Sequence, residues 1–288
     1  MKLKNFAWIL FIYTLLVILW GAWVRISHSG DGCGASWPVC HGQVIPEIQQ
    51  TKTLVEYSHR LTSGLFGFLV LGLFFWVRKK FPKGSSQRLL ASVTLVLTIT
   101  EALLGAKLVL LRLVGQNDSF FRLFAMTLHQ LNSFLLTGFV FLSAYFISFP
   151  QLQFKGWKAY RLAGLFLLIG MSGAIAALAG TLFPTQSLWE GIVNDFSPDS
   201  HMFLRLRILH PALALSLSAL FVYLFVNQDS NPEAQKAKHQ TIVAFVIMVA
   251  FGGLTLINLS PLWMKVTHLA LAHLLWSQLL RQLTLSSR

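Results

Sequence analysis

Four apolar stretches carry a histidine near their start and occur in pairs along the chain. In the first half they are residues 56–68 (EYSHRLTSGLFGF) and residues 126–138 (MTLHQLNSFLLTG). In the second half they are residues 206–219 (LRILHPALALSLSA) and residues 265–276 (KVTHLALAHLLW). Each half therefore repeats the same order of motifs, which predicts that the fold consists of two copies of one helical unit.

The composition predicts an integral membrane protein. Of the 288 residues, 55% are hydrophobic and only 11% are charged, which lies outside the range of water-soluble domains. A helix needs about 20 apolar residues to cross the hydrocarbon core. On this criterion the chain contains eight candidate spans, at 6–24, 55–77, 88–111, 121–148, 160–181, 203–226, 239–258 and 263–283.

The basic residues predict the orientation of these spans. The chain has 23 Lys and Arg against 10 Asp and Glu, and fourteen of the basic residues fall at the termini and in the second, fourth and sixth loops. The segment 78–88 (RKKFPKGSSQR) is the densest cluster. By the positive-inside rule, both termini lie in the cytoplasm of a multi-pass protein of the inner (cytoplasmic) membrane, and 6–24 is a retained span rather than a cleaved signal peptide. The basic excess indicates topology rather than nucleic-acid binding, because no groove-reading or aromatic surface motif accompanies it.

The predicted fold class is all-α. Each half contains four spans, so both copies enter the membrane from the same side, and a pseudo-twofold axis along the membrane normal relates two four-helix bundles. We expect residues 1–150 to form the N-terminal bundle, with a long extracytoplasmic loop at 26–54 that contains both cysteines. Residues 151–288 form the C-terminal bundle.

Four histidines occupy equivalent places in this repeat, and ionisable groups inside spans indicate a functional site by default. Their predicted spans all run from outside to inside, which places the rings about 6–12 Å below the outer surface at a rise of about 1.5 Å per residue. Two facing pairs at one depth are what axial ligation of two haem irons requires. The alternative is that each is a helix-to-helix hydrogen-bonding residue. The pairs are His59 with His129, and His210 with His268.

The other five histidines are weaker candidates. His273 competes with His268 for the ligand position, but it falls on a different helix face, and His268 is the residue that matches His129 in the repeat. The remaining four fall in loops or at span ends, where solvated surface residues are the default and metal binding is the alternative. They are His28, His41, His201 and His239.

The chain resembles the haem A synthases over nearly its whole length. The resemblance rests on residues 21–47 (GAWVRISHSGDGCGASWPVCHGQVIPE), on the helix start EYSHRLTSG that follows, and on RLRILHP at 205–211. Its most specific parts are GCGxSWPxCxG and ExxHR. The resemblance implies oxidation of the C8 methyl group of haem O to a formyl group, yielding haem A for terminal oxidases.

The same resemblance implies a division of labour between the bundles. The N-terminal bundle would receive haem O between His59 and His129, and the C-terminal bundle would hold a resident haem b through His210 and His268. It also implies haem O synthase as the upstream partner. A homo-oligomer in the lipid bilayer remains open.

Glu56 is the leading candidate for a catalytic carboxylate. It lies one helical turn before His59, where it can stabilise positive charge on the porphyrin or accept a proton. The resemblance matches it to a glutamate regarded as catalytic. The alternative is a helix N-terminal acid that is paired with Arg60.

Cys33 and Cys40 lie in the predicted outer loop, where a disulfide persists if that compartment is oxidising. The pair could close a rigid lid or act as a redox relay, and the resemblance supports a redox-sensitive pair. The matching loop of the second half, 181–200, contains no cysteine.

Several charged residues leave alternatives open. Glu101 and Lys107 fall inside the third span, where they indicate an ion pair or a protonated acid rather than a catalytic group. Five arginines lie near the outer ends of spans, where they either bind haem propionates or extend to the membrane interface. They are Arg25, Arg60, Arg122, Arg205 and Arg207.

Two other classes of protein compete with a haem-oxidising enzyme. A dihaem b-type electron-transfer cytochrome would use the same paired histidines, but it would not need Glu56 or the cysteine loop. A transporter built from repeats predicts broken helices at the membrane midplane. The distinctive residues here lie near the outer face instead.

Overall fold

A computed structural model of the chain describes residues 1–154, 160, 162–226 and 232–286. Secondary structure in these residues is helical, apart from an isolated bridge between Cys40 and Gln43. The helices are α1 (Leu3–Ile26), α2 (Thr51–Lys80), α3 (Ser86–Leu110), α4 (Phe120–Ser148), α5 (Ala163–Leu182), α6 (Leu188–Phe196), α7 (Met202–Arg207), α8 (Leu209–Val226), α9 (Pro232–Ile257) and α10 (Leu262–Ser286).

The protein is an all-helical membrane protein. Among the described residues, seven segments are long and apolar enough to cross a membrane, counting α7 and α8 as one. They correspond to the first seven predicted spans. The eighth predicted span is the 25-residue helix α10. Its polar residues, including Lys265, Gln278 and Arg281, lower the mean hydropathy of the helix. Its membrane crossing remains a prediction.

The sixth predicted span is interrupted at Ile208, between α7 and α8. Pro211 accounts for the break, because its ring lacks an N–H donor and clashes with the carbonyl group four residues earlier, at Arg207. The interruption falls near the start of the span, two residues before His210. It is not at the midplane, where the transporter alternative would place it.

The short helix α6 lies in a segment for which the sequence predicts a loop. A start signal is nevertheless present in the sequence. The side chain of Ser187 caps the helix by accepting a hydrogen bond from the backbone N–H of Glu190, three residues later. Ser and Glu at this spacing form the pattern of a capping box.

The chain divides into two compact units, with the division after Phe154. In the first unit α1 packs against α2 and α4, and α3 packs against α2 and α4, which closes a four-helix ring. In the second unit α5, α8, α9 and α10 form the corresponding ring, and α7 packs against α5 and α6. In each ring, the helices that carry the histidine pair are diagonal neighbours.

Four of the fourteen basic residues used for the topology prediction lie outside the described residues: Lys155, Lys158, Arg161 and Arg288.

Candidate functional site

The four histidines of the repeat lie in equivalent surroundings. Each imidazole packs against a glycine of the long helix that precedes its own around the four-helix ring. At Gly21, Gly173 and Gly252 the imidazole lies where a side chain would be, whereas an alanine at Gly105 would make an ordinary contact. A Cβ atom added to the glycine would lie 2.9 Å from Cε1 of His59 at Gly21, 3.7 Å from Cε1 of His129 at Gly105, 3.1 Å from Cε1 of His210 at Gly173, and 2.9 Å from Cε1 of His268 at Gly252.

The histidines lie at similar distances from the starts of their helices. They follow the first residue of α2, α4, α7 and α10 by six to nine positions, which is about 9–14 Å at 1.5 Å per residue. Their depth in the membrane stays a prediction, and α2 begins at Thr51, one turn before the predicted span. The extra turn allows the outer loop to contact the helix above His59.

His210 and His268 face each other in the second unit. Their ring centroids are 6.2 Å apart and the ring planes are inclined at 85°. A metal–imidazole bond is about 2 Å long, and adding the distance from nitrogen to ring centre on both sides predicts a centroid separation of about 6 Å for a metal held between two imidazoles. The separation of this pair therefore fits a metal ligated from both sides.

Ser172 fixes the tautomer of His210. The Ser172 hydroxyl donates its single proton to the carbonyl oxygen of Ile169 at 2.7 Å, and its oxygen lies 3.1 Å from Nδ1 of His210. Toward His210 this oxygen can therefore only accept, so Nδ1 carries the proton and Nε2 has the free lone pair. A hydrogen bond of this kind is the usual support of a metal-ligating histidine.

His59 and His129 occupy the corresponding places in the first unit, on the diagonal helices α2 and α4. Their Nδ1 atoms, like that of His268, are buried without a hydrogen-bond partner. An imidazole among apolar helices with an unsatisfied nitrogen is costly. Because Nδ1 is buried in each of these rings, Nε2 is the nitrogen left to ligate a haem iron, so these residues can serve as axial ligands.

Glu101 lies beside His129, with Oε2 3.5 Å from Nδ1 of the imidazole. Its carboxylate accepts hydrogen bonds from Asn132 and Ser133 of α4. Of the two interpretations that the sequence leaves open, the ion pair with Lys107 is absent, since Lys107 is exposed in the last turn of α3; a protonated Glu101 stays a prediction. The partners of Glu101 therefore come from α4.

Glu56 is buried, with 3% of its surface exposed, beneath the outer loop. Its Oε1 lies 2.5 Å from Nη2 of Arg60, and its Oε2 accepts the backbone N–H of Cys33 at 2.8 Å. Arg60 also donates to the carbonyl oxygens of Ser36 and Val39, at 2.7 and 2.6 Å. The predicted pairing of Glu56 with Arg60 is thus present, and the pair binds the loop to α2 above His59.

Cys33 and Cys40 form a disulfide bond and are both fully buried. The loop they close contacts the first turn of α2, where Thr53 donates to the carbonyl oxygen of Gly32 at 2.8 Å. A Cβ atom at Gly32 would collide with the backbone carbonyl group of Lys52, so only glycine permits this approach.

The arginines near the outer ends of helices differ in their contacts. Arg122 donates to the carbonyl oxygens of Gly115 and Asn117, at 2.7 and 2.6 Å. Arg207 pairs with Asp195, with Nη2 2.6 Å from Oδ1. Arg205 is exposed. Arg25 belongs to the last turn of α1.

The other histidines do not join these pairs. His28 contacts Gln116, His41 contacts the carbonyl oxygen of Gly32, and His201 caps α7 by accepting the N–H of Phe203. His239 is exposed on α9, whereas His273 is fully buried in α10. The part of the chain that the structure describes contains no group of three or more His, Cys, Asp or Glu residues arranged to hold a metal ion.

Sequence reasoning missed the residues that support the histidines. The four glycines are ordinary in apolar helices, and neither Ser172 nor Asn132 belongs to a recognisable motif. Only Glu101 gave a signal, as a carboxylate inside a span. Its partner could not be identified without the packing of α3 against α4.

Comparisons with known proteins identify the family of the chain. Residues 4–280 match the COX15-CtaA family, described as cytochrome oxidase assembly protein. A protein named "Heme A synthase" from Shouchella clausii is 32% identical over 240 residues, which cover 78% of this chain and 75% of that protein. The chain belongs to the haem A synthase family.

Two further relatives show how far this family membership extends. A protein named "Protoheme IX farnesyltransferase" from Thermus thermophilus is 37% identical over 284 residues, which cover 96% of this chain but 47% of that protein. The chain thus spans about half the length of this relative. A protein named "Heme A synthase" from Alkalihalophilus pseudofirmus is 41% identical over 105 residues, 36% of this chain.

Proposed function

We propose that this member of the haem A synthase family is itself a haem A synthase. It would oxidise the C8 methyl group of haem O to a formyl group in its first unit, beside a resident haem b in its second unit. The observation that carries this proposal is an asymmetry. Each unit carries a histidine pair on diagonal helices, but among the described residues a carboxylate contacts a histidine of the pair only in the first unit, where Oε2 of Glu101 lies 3.5 Å from Nδ1 of His129.

The histidines provide the register for comparing the units. Three residues before His59 is Glu56, whereas three residues before His210 is Arg207, which is paired with Asp195. Four residues before Gly105 is Glu101, whereas four residues before Gly252 is Met248. The first unit therefore has carboxylates at these positions that can accept protons. The second unit has Arg207 and Met248 there, which suits a site that binds a haem without reacting with it.

In the first unit His59 and His129 would bind the iron of the substrate, haem O, and fix the height of the porphyrin. Converting a methyl group to a formyl group replaces two C–H bonds by a C=O bond. With water as the source of the oxygen atom, this releases protons and electrons, and the electrons need an external acceptor. Glu56 lies one turn from His59, where its carboxylate can accept a proton or stabilise positive charge at the porphyrin edge. The disulfide-closed loop above it would exclude bulk water.

In the second unit His210 and His268 would hold haem b, whose iron supplies the capacity to take up and pass on electrons. Ser172 keeps Nε2 of His210 available for ligation. Arg205 and Arg207 are the candidates for binding propionates at the outer end, where Arg205 is exposed and Arg207 still has Nη1 available.

The setting of this activity is part of the proposal. The two units are four-helix bundles related by a pseudo-twofold axis, with α10 as the eighth span and both termini in the cytoplasm. Haem O is the product of protohaem farnesylation, and a relative named as the farnesyltransferase contains a region similar to this chain. We therefore infer that a haem O synthase is the upstream partner.

The test is production of haem A in cells that make haem O. The full chain is coexpressed with a haem O synthase, and extracted haems are separated by chromatography. We expect haem A with the wild-type protein and with His239→Ala, whose side chain is exposed on α9. We expect none with Glu56→Ala or His59→Ala, although both variants still insert into the membrane.

A dihaem b-type electron-transfer cytochrome is the alternative, because two histidine pairs at similar geometry also suit two resident haems. It predicts that the wild-type protein contains two equivalents of haem b and leaves haem O unconverted. Detection of haem O or haem A in sub-stoichiometric amounts beside haem b would exclude it.

A further inference from the structure

We propose that Glu101 is a positioning residue for His129, holding the imidazole so that Nε2 faces the substrate iron. This inference rests on the proposed role of His129 as an axial ligand. It assigns a function to a membrane-embedded carboxylate that the proposed reaction does not otherwise use.

A fixed hydrogen-bond network orients Glu101. The side-chain amide of Asn132 donates to the carbonyl oxygen of Leu97 at 2.9 Å and to Oε2 of Glu101 at 2.7 Å. The amide oxygen of Asn132 accepts from the hydroxyl of Thr100 at 2.8 Å. Rotating the amide by half a turn would place its oxygen against two other acceptors, so the NH₂ group must face Glu101.

Ser133 completes the network by donating its hydroxyl to Oε1 of Glu101. Both carboxylate oxygens therefore accept hydrogen bonds from α4, which suits an ionised carboxylate because that group can only accept. Each oxygen retains further acceptor capacity. Oε2 is the atom 3.5 Å from Nδ1 of His129.

The contact between Glu101 and Nδ1 of His129 matters because a ligating histidine carries its proton on the nitrogen that does not bind the metal. When Nε2 binds a metal, the proton of the neutral imidazole is on Nδ1 and needs an acceptor. For His210 the acceptor is the hydroxyl oxygen of Ser172. For His129 the atom in the matching position is Oε2 of Glu101, and we expect the 3.5 Å separation to shorten to a charge-assisted hydrogen bond when iron binds.

Glu101 makes His129 different from the other three histidines. A carboxylate is a stronger acceptor than a serine hydroxyl, so it raises the electron-donating power of the imidazole more than Ser172 does. The Nδ1 atoms of His59, His129 and His268 all lack a hydrogen bond, but only that of His129 has a carboxylate oxygen nearby, at 3.5 Å. The substrate site would therefore hold its iron more firmly from the α4 side than from the α2 side.

The experiment compares Glu101→Gln with Thr94→Val in the full chain. Glutamine keeps the size of the side chain but removes its charge. Thr94 lies 3.2 Å from Ser143 in a second polar contact between α3 and α4, away from His129, so Thr94→Val reports the effect of weakening the helix contact alone. The detergent-purified proteins, depleted of haem, are titrated with ferric protoporphyrin IX, and the ferric electron paramagnetic resonance spectrum is recorded.

We expect two equivalents to bind to the wild-type protein. In Glu101→Gln one of the two should bind about 10–100-fold more weakly, which is the usual effect of removing the partner of a ligating histidine, and its low-spin signal should shift. Thr94→Val should match the wild type. Two unchanged equivalents in Glu101→Gln, or equal weakening in Thr94→Val, would overturn the role of Glu101 while leaving the proposed function intact. A wild-type protein that binds no haem would refute both.

Discussion

Arg60 illustrates how a single side chain connects the outer loop to the candidate site. Its guanidinium pairs with the buried Glu56 and also binds two carbonyl oxygens of the disulfide-closed loop. Arginine suits this role because its planar head donates in several directions at once. The residue therefore fixes both the carboxylate and the loop above it.

We predict that Arg60→Met destabilises the first unit by about 3–5 kcal/mol, the usual effect of leaving a buried charge without its partner. Lys52→Ala is the control, since Lys52 and Asp31 form an ion pair whose side chains are both 49% exposed. Removing an exposed pair changes stability by about 0–1 kcal/mol. Thermal unfolding of the detergent-solubilised protein measures both. Equal stability of the two variants would mean that the Glu56–Arg60 pair contributes little to the fold.

At the residue scale, the sequence predicts which side chains carry the chemistry but not which residues they contact. The place of Glu56 one turn before His59 follows from the spacing in EYSHR, whereas its burial does not, because the sequence predicts a site that water can reach. Its bond to the backbone N–H of Cys33 does not follow from the spacing either, because it depends on how a loop 23 residues away in sequence folds back over α2. The same holds for Glu101. The sequence marks it as a carboxylate inside a span and leaves an ion pair or a protonated acid open, whereas its contacts with Asn132 and Ser133 depend on the packing of α3 against α4.

At the scale of helices, the recurring feature is a glycine opposite each histidine. At Gly21, Gly173 and Gly252 the absent side chain lets the imidazole lie close to the neighbouring backbone, whereas Gly105 leaves room for a methyl group. Gly252 and Gly253 provide a direct comparison, because they are adjacent in α9 and only the first faces His268.

Gly252→Ala should displace His268, since the new Cβ atom would lie 2.9 Å from Cε1 of the ring. Overpacking of this kind costs about 1–3 kcal/mol, and the second unit should lose its haem. Gly253→Ala adds a methyl group where no other atom lies within 4 Å, so it should retain haem and gain slightly in helix stability. Haem per polypeptide, measured in both purified variants, distinguishes these outcomes. Full haem content in Gly252→Ala would contradict the predicted displacement.

At the scale of the whole molecule, the number of membrane crossings decides which side each terminus faces. Seven segments of the described chain meet the criteria of length and apolar character, and α10 is a long helix that does not. The link 258–261 between α9 and α10 is short, with Leu259 and Ser260 at positive φ, as a tight reversal requires.

We predict that α10 crosses the membrane and returns the chain to the cytoplasm. A green fluorescent protein fused after Arg288 should fluoresce, and alkaline phosphatase inserted at Pro261 should be active outside. Fluorescent protein folds only in the cytoplasm, whereas the phosphatase needs the oxidising side. If the fusion after Arg288 is dark while the phosphatase at Pro261 is active, α10 does not cross the membrane.

The sequence by itself determined the helical class, the positions of the long helices, and the four histidines and the glutamate that carry the proposed chemistry. These depend on local composition and on a repeated pattern, which apolar periodicity and residue spacing record directly. The sequence did not determine the glycine behind each imidazole, the serine that sets the tautomer of His210, or the asparagine and serine that hold Glu101. Those contacts join residues on different helices, so only the packing of the helices decides which side chains meet.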